Sequence, residues 1–580
     1  MNKDQIADVL DEVALLLELK GENVFKVRAY RQGAEVVRFW DGDIVALARE
    51  DKLKGIKGLG ESLRQQLHEL VTQGAMAYHQ ALKAEFPSGL FELFELQGLG
   101  PKKIKVLYDS LSVVSIADLK MRCESGEVAN LPGFGLKTQS KMLEAIAFRT
   151  EFSDQFLLGD VGSLVQGILE YLQSHSEVLR STVAGSFRRA KESVHDLDFL
   201  VATAFPDVVC EYFTQLPEVA TVLVCGNTKV SVRLRNGIQC DLRAVSNAEF
   251  PFALMYFTGS KEHNVALRSL ALKKGLSLNE YGFSVVDGVM PSDLHDERDI
   301  YECLGLNYIA PELRENLGEI EAAFKRDLPR LIELESLRGT FHSHTTESDG
   351  MDDLASMADE AMELGLEYLG ISDHSKSTSV ANGLNEVRLL RQIEDIRSLN
   401  QTFTQFRLFA GSEVDIMKDG SLDFDDELLA QLDFCVASVH QWFDMSESDM
   451  TKRICRVMEN PHVTMIGHLT GRKLFKRSGY AVDHMKIIDC AAETRTVIEL
   501  NCNPRRLDMD WRWWKRARDL GVLCSINPDA HSRDALHHLG IGVRVARKGW
   551  LRREDVLNTL SVGDVEAFLN TPKFQRVYKP

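Results

Sequence analysis

The chain has 580 residues, of which 44% are hydrophobic and 27% charged. This length is too great for one hydrophobic core, and the composition excludes collagen-like, wholly disordered and disulfide-framework proteins. The net charge of −18 excludes a basic field over the whole chain, so any nucleic-acid binding must use local patches, backbone donors or metal ions. No run of 18 apolar residues occurs, and the ten cysteines include no CxxC pair. We therefore predict a cytoplasmic protein with reduced thiols and no membrane contact.

The first 150 residues are predicted to be helical, since apolar residues recur at helical spacing over 6–19, 63–70 and 102–111. A hydrophobic-x-Gly-hydrophobic-Gly pattern occurs three times there, each time before a helical stretch. Its glycines are Gly58, Gly60, Gly98, Gly100, Gly133 and Gly135. Such glycines permit a tight turn, and the free N–H groups of the next helix can hold a phosphate. The repeat resembles the helix-hairpin-helix motif. Ordinary glycine turns are the alternative, but three repeats favour contact with the DNA backbone that does not read the base sequence.

The pattern changes to alternation in residues 183–201, which predict a strand, a Gly-Ser turn, basic residues and a second strand. Side chains alternate along a strand, so Asp196 and Asp198 share one face of the second strand. Two neighbouring carboxylates repel each other unless cations bind. A pair of solvated strand acids is the alternative.

A hairpin is predicted over residues 229–245, with a three-residue loop at 235–237. That loop length pairs Val232 with Cys240 and leaves one clean apolar face. Asp241 then lies on the opposite face, beside Ser231. If this hairpin adjoins the strand with the two aspartates, three carboxylates converge and can hold two Mg²⁺ ions roughly 3.5–4 Å apart for in-line phosphoryl displacement.

Gly185-Ser186 followed by Asp196-x-Asp198 resembles the nucleotidyltransferase signature. Residues 256–268 (YFTGSKEHNVALR) resemble the nucleotide-selecting segment of family X DNA polymerases, the DNA polymerase beta relatives, and the resemblance spans residues 1–315. It implies attack of a primer 3′-hydroxyl on the α-phosphorus of a deoxynucleoside triphosphate, with loss of pyrophosphate. It makes Asp196, Asp198 and Asp241 the catalytic metal ligands. The nucleotide-binding residues that it implies are Gly185, Ser186, Arg189, Tyr256, Phe257, Gly259 and Asn264; Arg188 is also expected to face the triphosphate, and Arg268 to contact DNA.

From residue 337 on, apolar runs alternate with helical stretches, and most of the runs end in a histidine or an acid. This is typical of a βα barrel whose site lies at the C-terminal ends of the strands. The run ends are His342-Ser-His344, Ser372-Asp-His374, Gly411-Ser-Glu413, Ser438-Val-His440, Ile466-Gly-His468, Glu499-Leu-Asn501 and Asn527-Pro-Asp-Ala-His531. One such histidine is more often a hydrogen-bonded core residue than a ligand, but five histidine-ended runs favour a metal site.

These run ends resemble the polymerase-and-histidinol-phosphatase (PHP) domain. The metal ligands that this resemblance implies are His342, His344, Asp349, His374, Glu413, His440, His468, Asp529 and His531. Such a set suits up to three Zn²⁺ or Mn²⁺ ions, which activate water for attack on phosphorus. Arg505 and Arg506 either contact a phosphate or belong to a solvated basic loop.

The fold class is therefore expected to be multidomain α/β. We predict a helical DNA-binding domain at 1–85, a fingers-like helical domain at 86–150, a nucleotidyltransferase palm with a mixed sheet at 151–250, a thumb-like nucleotide-selecting domain at 251–315, a linker at 316–336 and a distorted, seven-stranded, TIM-like PHP barrel at 337–580.

This pairing of modules resembles bacterial family X polymerases, which fill short gaps and whose PHP domain acts as a 3′–5′ exonuclease or on abasic and blocked 3′ ends. The resemblance implies a monomeric, nucleoid-associated enzyme of DNA repair, including base excision repair, that binds gapped or nicked DNA and deoxynucleoside triphosphates. Two alternatives stay open, a small-molecule phosphatase and a purely structural metal domain. The helix-hairpin-helix motifs argue against the first, and the nine-residue ligand set against the second, since structural zinc sites need about four ligands.

Overall fold

The computed structural model describes residues 3–38, 40, 44–96, 99–151, 154–292 and 294–576. The chain divides into two compact units, one of residues 1–153 with 475–477 and the other of residues 154–474 with 478–580. Within the described ranges, no helix has the length and apolar character needed to cross a bilayer.

The first unit is built from helices. They are α1 (Lys3–Lys20), α2 (Val24–Arg38), α3 (Ile44–Arg49), α4 (Glu61–Gln73), α5 (Ala77–Ala84), α6 (Pro101–Leu111), α7 (Ile116–Glu124) and α8 (Leu136–Glu151). The three stretches with helical periodicity fall on α1, α4 and α6, so these predictions are confirmed. Leu10 and Leu67 belong to one apolar cluster of this unit, and Ile104 and Leu119 to a second.

The second unit begins with a five-stranded mixed sheet. The elements of this region are β1 (Phe156–Leu157), α9 (Gly162–Gln173), β2 (Arg180–Val183), α10 (Gly185–Arg188), β3 (Ser193–Val194), β4 (Asp196–Ala202), α11 (Pro206–Thr214), β5 (Val219–Cys225), β6 (Lys229–Leu234) and β7 (Gln239–Val245). Strands β1 and β3 pair with each other in a separate two-stranded sheet. The strand order is β2-β4-β7-β6-β5, with β4 parallel to β7 and the other pairs antiparallel. Helices α9 and α11 contribute Ile168 and Phe213 to the core under this sheet. The predicted mixed sheet is confirmed.

A smaller helical region follows the mixed sheet. It contains α12 (Phe250–Thr258), α13 (Lys261–Lys273), β8 (Leu276–Leu278), β9 (Phe283–Val285), α14 (Glu297–Cys303) and α15 (Glu319–Lys325). Helix α15 lies in the segment predicted as a linker. Its Ala323 packs in the core of this region, and the buried carboxylate of Glu319 pairs with His263 at 2.7 Å. The connection is thus folded onto the region before it, because its charged sequence still carries an apolar helix face.

The rest of the chain forms a seven-stranded parallel barrel. Its elements are β10 (Gly339–Thr340), α16 (Leu354–Glu363), β11 (Tyr368–Ile371), α17 (Glu386–Leu399), β12 (Arg407–Asp415), α18 (Asp426–Leu429), β13 (Phe434–Ser438), α19 (Glu447–Met458), β14 (Met465–Ile466), α20 (His484–Thr494), β15 (Val497–Asn501), α21 (Trp514–Asp519), β16 (Cys524–Asn527), α22 (Leu539–Lys548) and α23 (Val562–Asn570).

The strands lie in chain order from β10 to β16. A parallel bridge between Ser343 and Ala530 joins the chain just after the first and last strands, and the Ala530 amide donates to the His342 carbonyl at 3.1 Å. Phe341, Phe409 and Phe434 fill the interior. The predicted seven-stranded barrel is confirmed, and parallel strands place their carboxyl ends on one rim.

Candidate active sites

The helix-hairpin-helix glycines lie at turns before helices of the first unit. Gly60 and Gly100 cap α4 and α6 and offer no capping side chain, while Gly58 and Gly133 adopt φ values of +95° and +81°. Gly135 directly precedes α8. Gly98 lies outside the described residues. The uncapped amides of α4 and α6 are of the kind that hold a phosphate.

The palm acids lie side by side on paired strands. Asp198 on β4 is directly opposite Asp241 on β7, and Asp196 lies two residues earlier on the same face. The hairpin has the predicted register, with Ser231 opposite Asp241 and Gly237 at φ +93°. The sequence therefore predicted this juxtaposition correctly. The apolar alternation of the hairpin determines which face of β7 carries Asp241. The parallel pairing of β4 with β7 then places Asp241 opposite Asp198.

Gly185 lies at the closest approach between the Gly-Ser turn and these acids. Its φ is +59°, and a Cβ placed there would lie 2.1 Å from an oxygen of Asp198. The Ala184 amide also donates to the Asp198 carbonyl at 2.7 Å. A glycine is therefore required for both the backbone conformation and the space.

The three palm carboxylates disfavour one another's charge. Burial, together with the charges of Asp196 and Asp241, raises the pKa of Asp198 to about 7. Burial and Asp241 also raise the pKa of Asp196. Asp241 accepts a hydrogen bond from Gln239 at 2.9 Å and lies 3.4 Å from the Lys229 ammonium. A bound cation would relieve this repulsion.

The two arginines after the Gly-Ser turn are held by protein partners. Arg188 was expected to face the triphosphate, but its guanidinium forms two hydrogen bonds to the buried Glu297, at 2.6 and 3.0 Å. In Arg189, Nη1 donates to the Thr258 carbonyl and Nε donates to Glu315 at 3.2 Å. Among the described contacts, Nη2 of Arg189 has no partner. It is therefore the nitrogen of this guanidinium that could donate to a triphosphate.

The predicted nucleotide-selecting residues lie around the end of α12. The rings of Tyr256 and Phe257 meet edge to face at 5.2 Å, and Gly259 adopts φ +69° against Arg189. Asn264 donates to the Tyr256 carbonyl at 2.7 Å, which leaves its buried Oδ1 without a hydrogen bond. Arg268 is exposed on α13. These residues fall within 13 consecutive positions, and their role in nucleotide binding stays a prediction.

The nine predicted PHP ligands meet at the C-terminal rim of the barrel. Three overlapping groups offer ligand atoms within 4.8 Å of one another; they are His344, Asp349, His374 and His531; His342, His344 and Asp529; and His374, Glu413 and His440. His468 completes the set, since its Nε2 lies 2.9 Å from a Glu413 oxygen.

Two carboxylates that were not predicted orient ligand histidines. Glu499 Oε1 lies 2.6 Å from His342 Nδ1, and Asp415 Oδ1 lies 2.7 Å from His440 Nδ1. Each contact occupies one ring nitrogen and turns the other toward the cluster. The sequence placed Glu499 at a run end but gave no signal of its role, which depends on how β15 and β10 lie across the barrel.

The rim histidines differ in charge state. Burial would lower the pKa of His440 and His531, but neighbouring carboxylates raise it to about 10 and about 9, so these rings must release a proton when a metal binds. Burial lowers the pKa of His344 to about 3, assisted by the positive charge of His531 and His374. Burial alone would raise the pKa of Glu413, but the neighbouring His440, His342 and His374 hold it well below its usual range. A neutral imidazole and an ionised carboxylate are the forms that bind a metal.

Arg506 belongs to the site, and Arg505 to the surface. The Arg506 Nε lies 3.1 Å from Asp529 Oδ2, and its side chain is 14% exposed. Arg505 is exposed. Of the two alternatives for this pair, the structure favours a place at the cluster for Arg506 and a solvated loop position for Arg505.

Over 571 residues, 98% of this chain and 99% of the relative, the sequence is 38% identical to the Bacillus subtilis (strain 168) protein named DNA polymerase/3′-5′ exonuclease PolX. This chain belongs to the family X DNA polymerases. The DNA polymerase beta thumb family matches residues 253–315, the helix-hairpin-helix domain family residues 1–76, and the SAM-like helix-hairpin-helix tandem family residues 91–147.

Two further relatives cover part of this family X polymerase. Human DNA-directed DNA/RNA polymerase mu is 23% identical over 335 residues, 50% of this chain and 64% of the relative. A probable phosphatase of Thermoanaerobacter sp. (strain X514) is 27% identical over 244 residues, 40% of this chain and 94% of the relative. The barrel is accordingly the C-terminal PHP domain of a family X polymerase.

Both sites of this family X polymerase fit divalent metal ions. In the barrel, ligand atoms such as His342 Nε2, His344 Nε2 and both Glu413 oxygens are buried and make no hydrogen bond. Leaving buried polar atoms unpaired is costly, so a metal is their natural partner. In the palm, the raised pKa of Asp198 is the corresponding observation.

Proposed function

We propose that the chain fills short gaps in DNA during repair, including base excision repair, and that its PHP domain removes nucleotides from 3′ ends as a 3′–5′ exonuclease. One observation carries the proposal. Three carboxylates converge on paired strands beside a Gly-Ser turn, in a chain that also holds a histidine-rich barrel.

In the palm, Asp196, Asp198 and Asp241 would hold two Mg²⁺ ions. Such ions neutralise charge on the triphosphate and activate the primer 3′-hydroxyl. The amides of the Gly185-Ser186 turn and the free nitrogen of Arg189 orient the phosphates, so that pyrophosphate leaves on the side away from the primer.

Residues 256–268 receive the sugar and base of the incoming nucleotide. Tyr256 and Phe257 form one wall of the sugar pocket. The unpaired Oδ1 of Asn264 is an acceptor for the nascent pair, and Arg268 contacts the template strand. The glycine turns of the first unit hold DNA phosphates through backbone amides, which suits binding that is independent of sequence.

In the barrel, the nine rim residues would hold up to three Zn²⁺ or Mn²⁺ ions, which activate water and neutralise the phosphodiester. Glu499 and Asp415 keep the ligand rings in place, and Arg506 is a cation for the substrate phosphate. A family X polymerase acts on DNA and deoxynucleoside triphosphates. We further propose a monomer in the bacterial cytoplasm, associated with the nucleoid. Its domains are those predicted from the sequence, with residues 316–336 as a folded connection between the thumb-like domain and the barrel.

The test is one assay series on the purified full chain with Mn²⁺. Gapped DNA with labelled primer should be extended when a deoxynucleoside triphosphate is added, and labelled single-stranded DNA should be shortened from its 3′ end when it is absent. Release of phosphate from small phosphomonoesters, without DNA shortening, would make the barrel a small-molecule phosphatase. Metal retention with neither hydrolytic activity would make it a structural domain.

A further inference from the structure

Helix α22 of the barrel packs directly on the nucleotide-binding turn of the palm. Ile541, Arg544 and Lys548 recur at spacings of three and four residues, which puts them on one face of the helix. Ile541 packs against the apolar core of the palm as well as that of the barrel. The face of α22 is therefore shared between the two domains.

Two cations on this face hold backbone carbonyls of the turn. The Arg544 guanidinium donates to the Phe187 carbonyl and stacks on the Phe187 ring, 4.4 Å from its centroid. Lys548 Nζ donates to the Arg189 carbonyl at 2.9 Å. These carbonyls lie at the C-terminal end of the short helix α10, where a positive charge is favourable.

Lys548 also acts on Arg189 through a shared carboxylate. Its ammonium lies 2.6 Å from Glu315 Oε1, the oxygen that accepts the Arg189 Nε hydrogen at 3.2 Å. Lys191 occupies the other Glu315 oxygen at 3.2 Å. The Lys548 side chain is fully buried, and its ammonium lies 4.5 Å from the centre of the Trp511 ring. Its position is thus fixed by packing on the barrel side.

We propose that Arg544 and Lys548 of the PHP domain are positioning residues for nucleotide binding in the palm. They hold the Gly185–Ala190 turn through hydrogen bonds to the Phe187 and Arg189 carbonyls. Lys548 also orients the Arg189 guanidinium through Glu315. The proposal rests on the proposed polymerase function. On this proposal, the PHP domain increases the affinity of the palm for nucleotide. The metal ligands of the PHP domain take no part in this effect.

The helix offers a matched control. Arg547 also lies on α22, but its Nε pairs with Glu312 at 2.7 Å and its Nη1 donates to the Ile332 carbonyl at 3.0 Å. It makes no described contact with residues 185–190. Arg547→Met therefore removes a cation and an ion pair of similar kind from the same helix and leaves the turn supported.

The experiment measures the Kd of the matching deoxynucleoside triphosphate on gapped DNA with a dideoxy-terminated primer, where no chemistry occurs. Lys548→Met and Arg544→Met are each expected to raise this Kd, and the KM for incorporation, by about tenfold, with kcat changed less than about threefold. Arg547→Met should leave both constants unchanged. Thermal unfolding and 3′–5′ shortening of single-stranded DNA by each variant report on folding.

An unchanged Kd in Lys548→Met and Arg544→Met overturns the proposal, and so does an equal rise in Arg547→Met, which would show general loosening of α22. A fall in kcat and in the unfolding temperature without a rise in Kd also overturns it, since that is the result of a merely structural role. A wild-type chain that binds no nucleotide on gapped DNA contradicts the proposed function itself and is recognised before any variant is compared.

Discussion

The palm and the barrel both bury clusters of acids, but they balance the charge differently. In the palm, burial and the charges of Asp196 and Asp241 outweigh those of Arg189 and Arg243, and the pKa of Asp198 rises to about 7. In the barrel, Glu413 is surrounded by histidines, and its pKa falls well below the usual range. The positive charge that the chain supplies is enough to keep Glu413 ionised in the barrel, but it is not enough to offset the burial and repulsion at Asp198 in the palm.

This difference teaches how each site acquires its metals. A site whose ligand rings are held in place by Glu499 and Asp415 is organised before a metal arrives, so little reorganisation opposes binding. A site of three repelling carboxylates binds metal most strongly when metal and triphosphate enter together, because the phosphates complete the metal coordination. We therefore expect the barrel to retain metal through purification and the palm to exchange it freely.

The largest effect is expected from Asp241→Asn. This change removes one of the three carboxylates that would hold the metal ions of the palm. Nucleotide incorporation on gapped DNA should fall about a thousandfold or more, roughly 4 kcal/mol of barrier. Shortening of single-stranded DNA should stay within about twofold. Asp207→Asn, on the exposed side of α11, is the control and should change neither rate. Retention of incorporation within about tenfold would refute the metal-site assignment.

The reciprocal variant is His344→Ala. His344 belongs to two of the three ligand groups, so its loss should lower 3′–5′ shortening by about a hundredfold. Incorporation should be unchanged. His462→Ala removes a barrel histidine just before β14, away from the rim, and should leave both activities intact. A parallel loss of both activities in His344→Ala would mean that the two sites are not separate.

A smaller effect is expected from Glu499→Gln, which keeps the shape of the side chain but removes the charge that holds His342. Metal affinity of the barrel should fall by about 10- to 100-fold, measured by metal content after dialysis against graded chelator. Glu566→Gln, an exposed glutamate paired with Arg407, should retain wild-type content. Wild-type affinity in Glu499→Gln would show that the barrel is not organised by such partners.

The smallest effect is expected at Glu297, a buried carboxylate outside both metal sites whose charge is balanced by arginines. Burial alone would raise the pKa of Glu297, but the guanidiniums of Arg314 and Arg188 lower it to about 2. A lowered pKa stabilises the fold above the unfolded value of 4.5 and loses that contribution as the pH falls toward 2. Between about pH 5.5 and 4, the advantage of wild type over Glu297→Gln in unfolding free energy should shrink by about 1 kcal/mol. A constant difference would contradict the charge-compensation argument.

The sequence predicted most strongly what depends on short spacing. The register of the palm hairpin followed from alternation, and the barrel ligands followed from motifs such as His342-Ser-His344 at the ends of apolar runs. What it could not predict depends on contacts between distant segments. Arg188 pairs with Glu297, 109 positions away, and His342 pairs with Glu499, 157 positions away. Neither pairing has a local pattern.

The segment 316–336 shows a second limit. Its charge and lack of strand signal predicted a linker, yet α15 buries Ala323 and pairs Glu319 with His263. A short amphipathic helix with only two or three apolar contacts is hard to separate from a polar tether by composition, because the surface that it covers is supplied by another part of the chain.

The seam that closes the barrel sets the order in which the two sites form during synthesis. The palm acids are all present once Asp241 has left the ribosome, whereas the rim needs His342 and His344 to meet Asp529 and His531 across the bridge between Ser343 and Ala530. These segments lie at opposite ends of the barrel's sequence, and domains generally fold from the N-terminus during translation. A chain that ends before Asp529 therefore contains the three palm acids but lacks two of the ligands at the barrel rim.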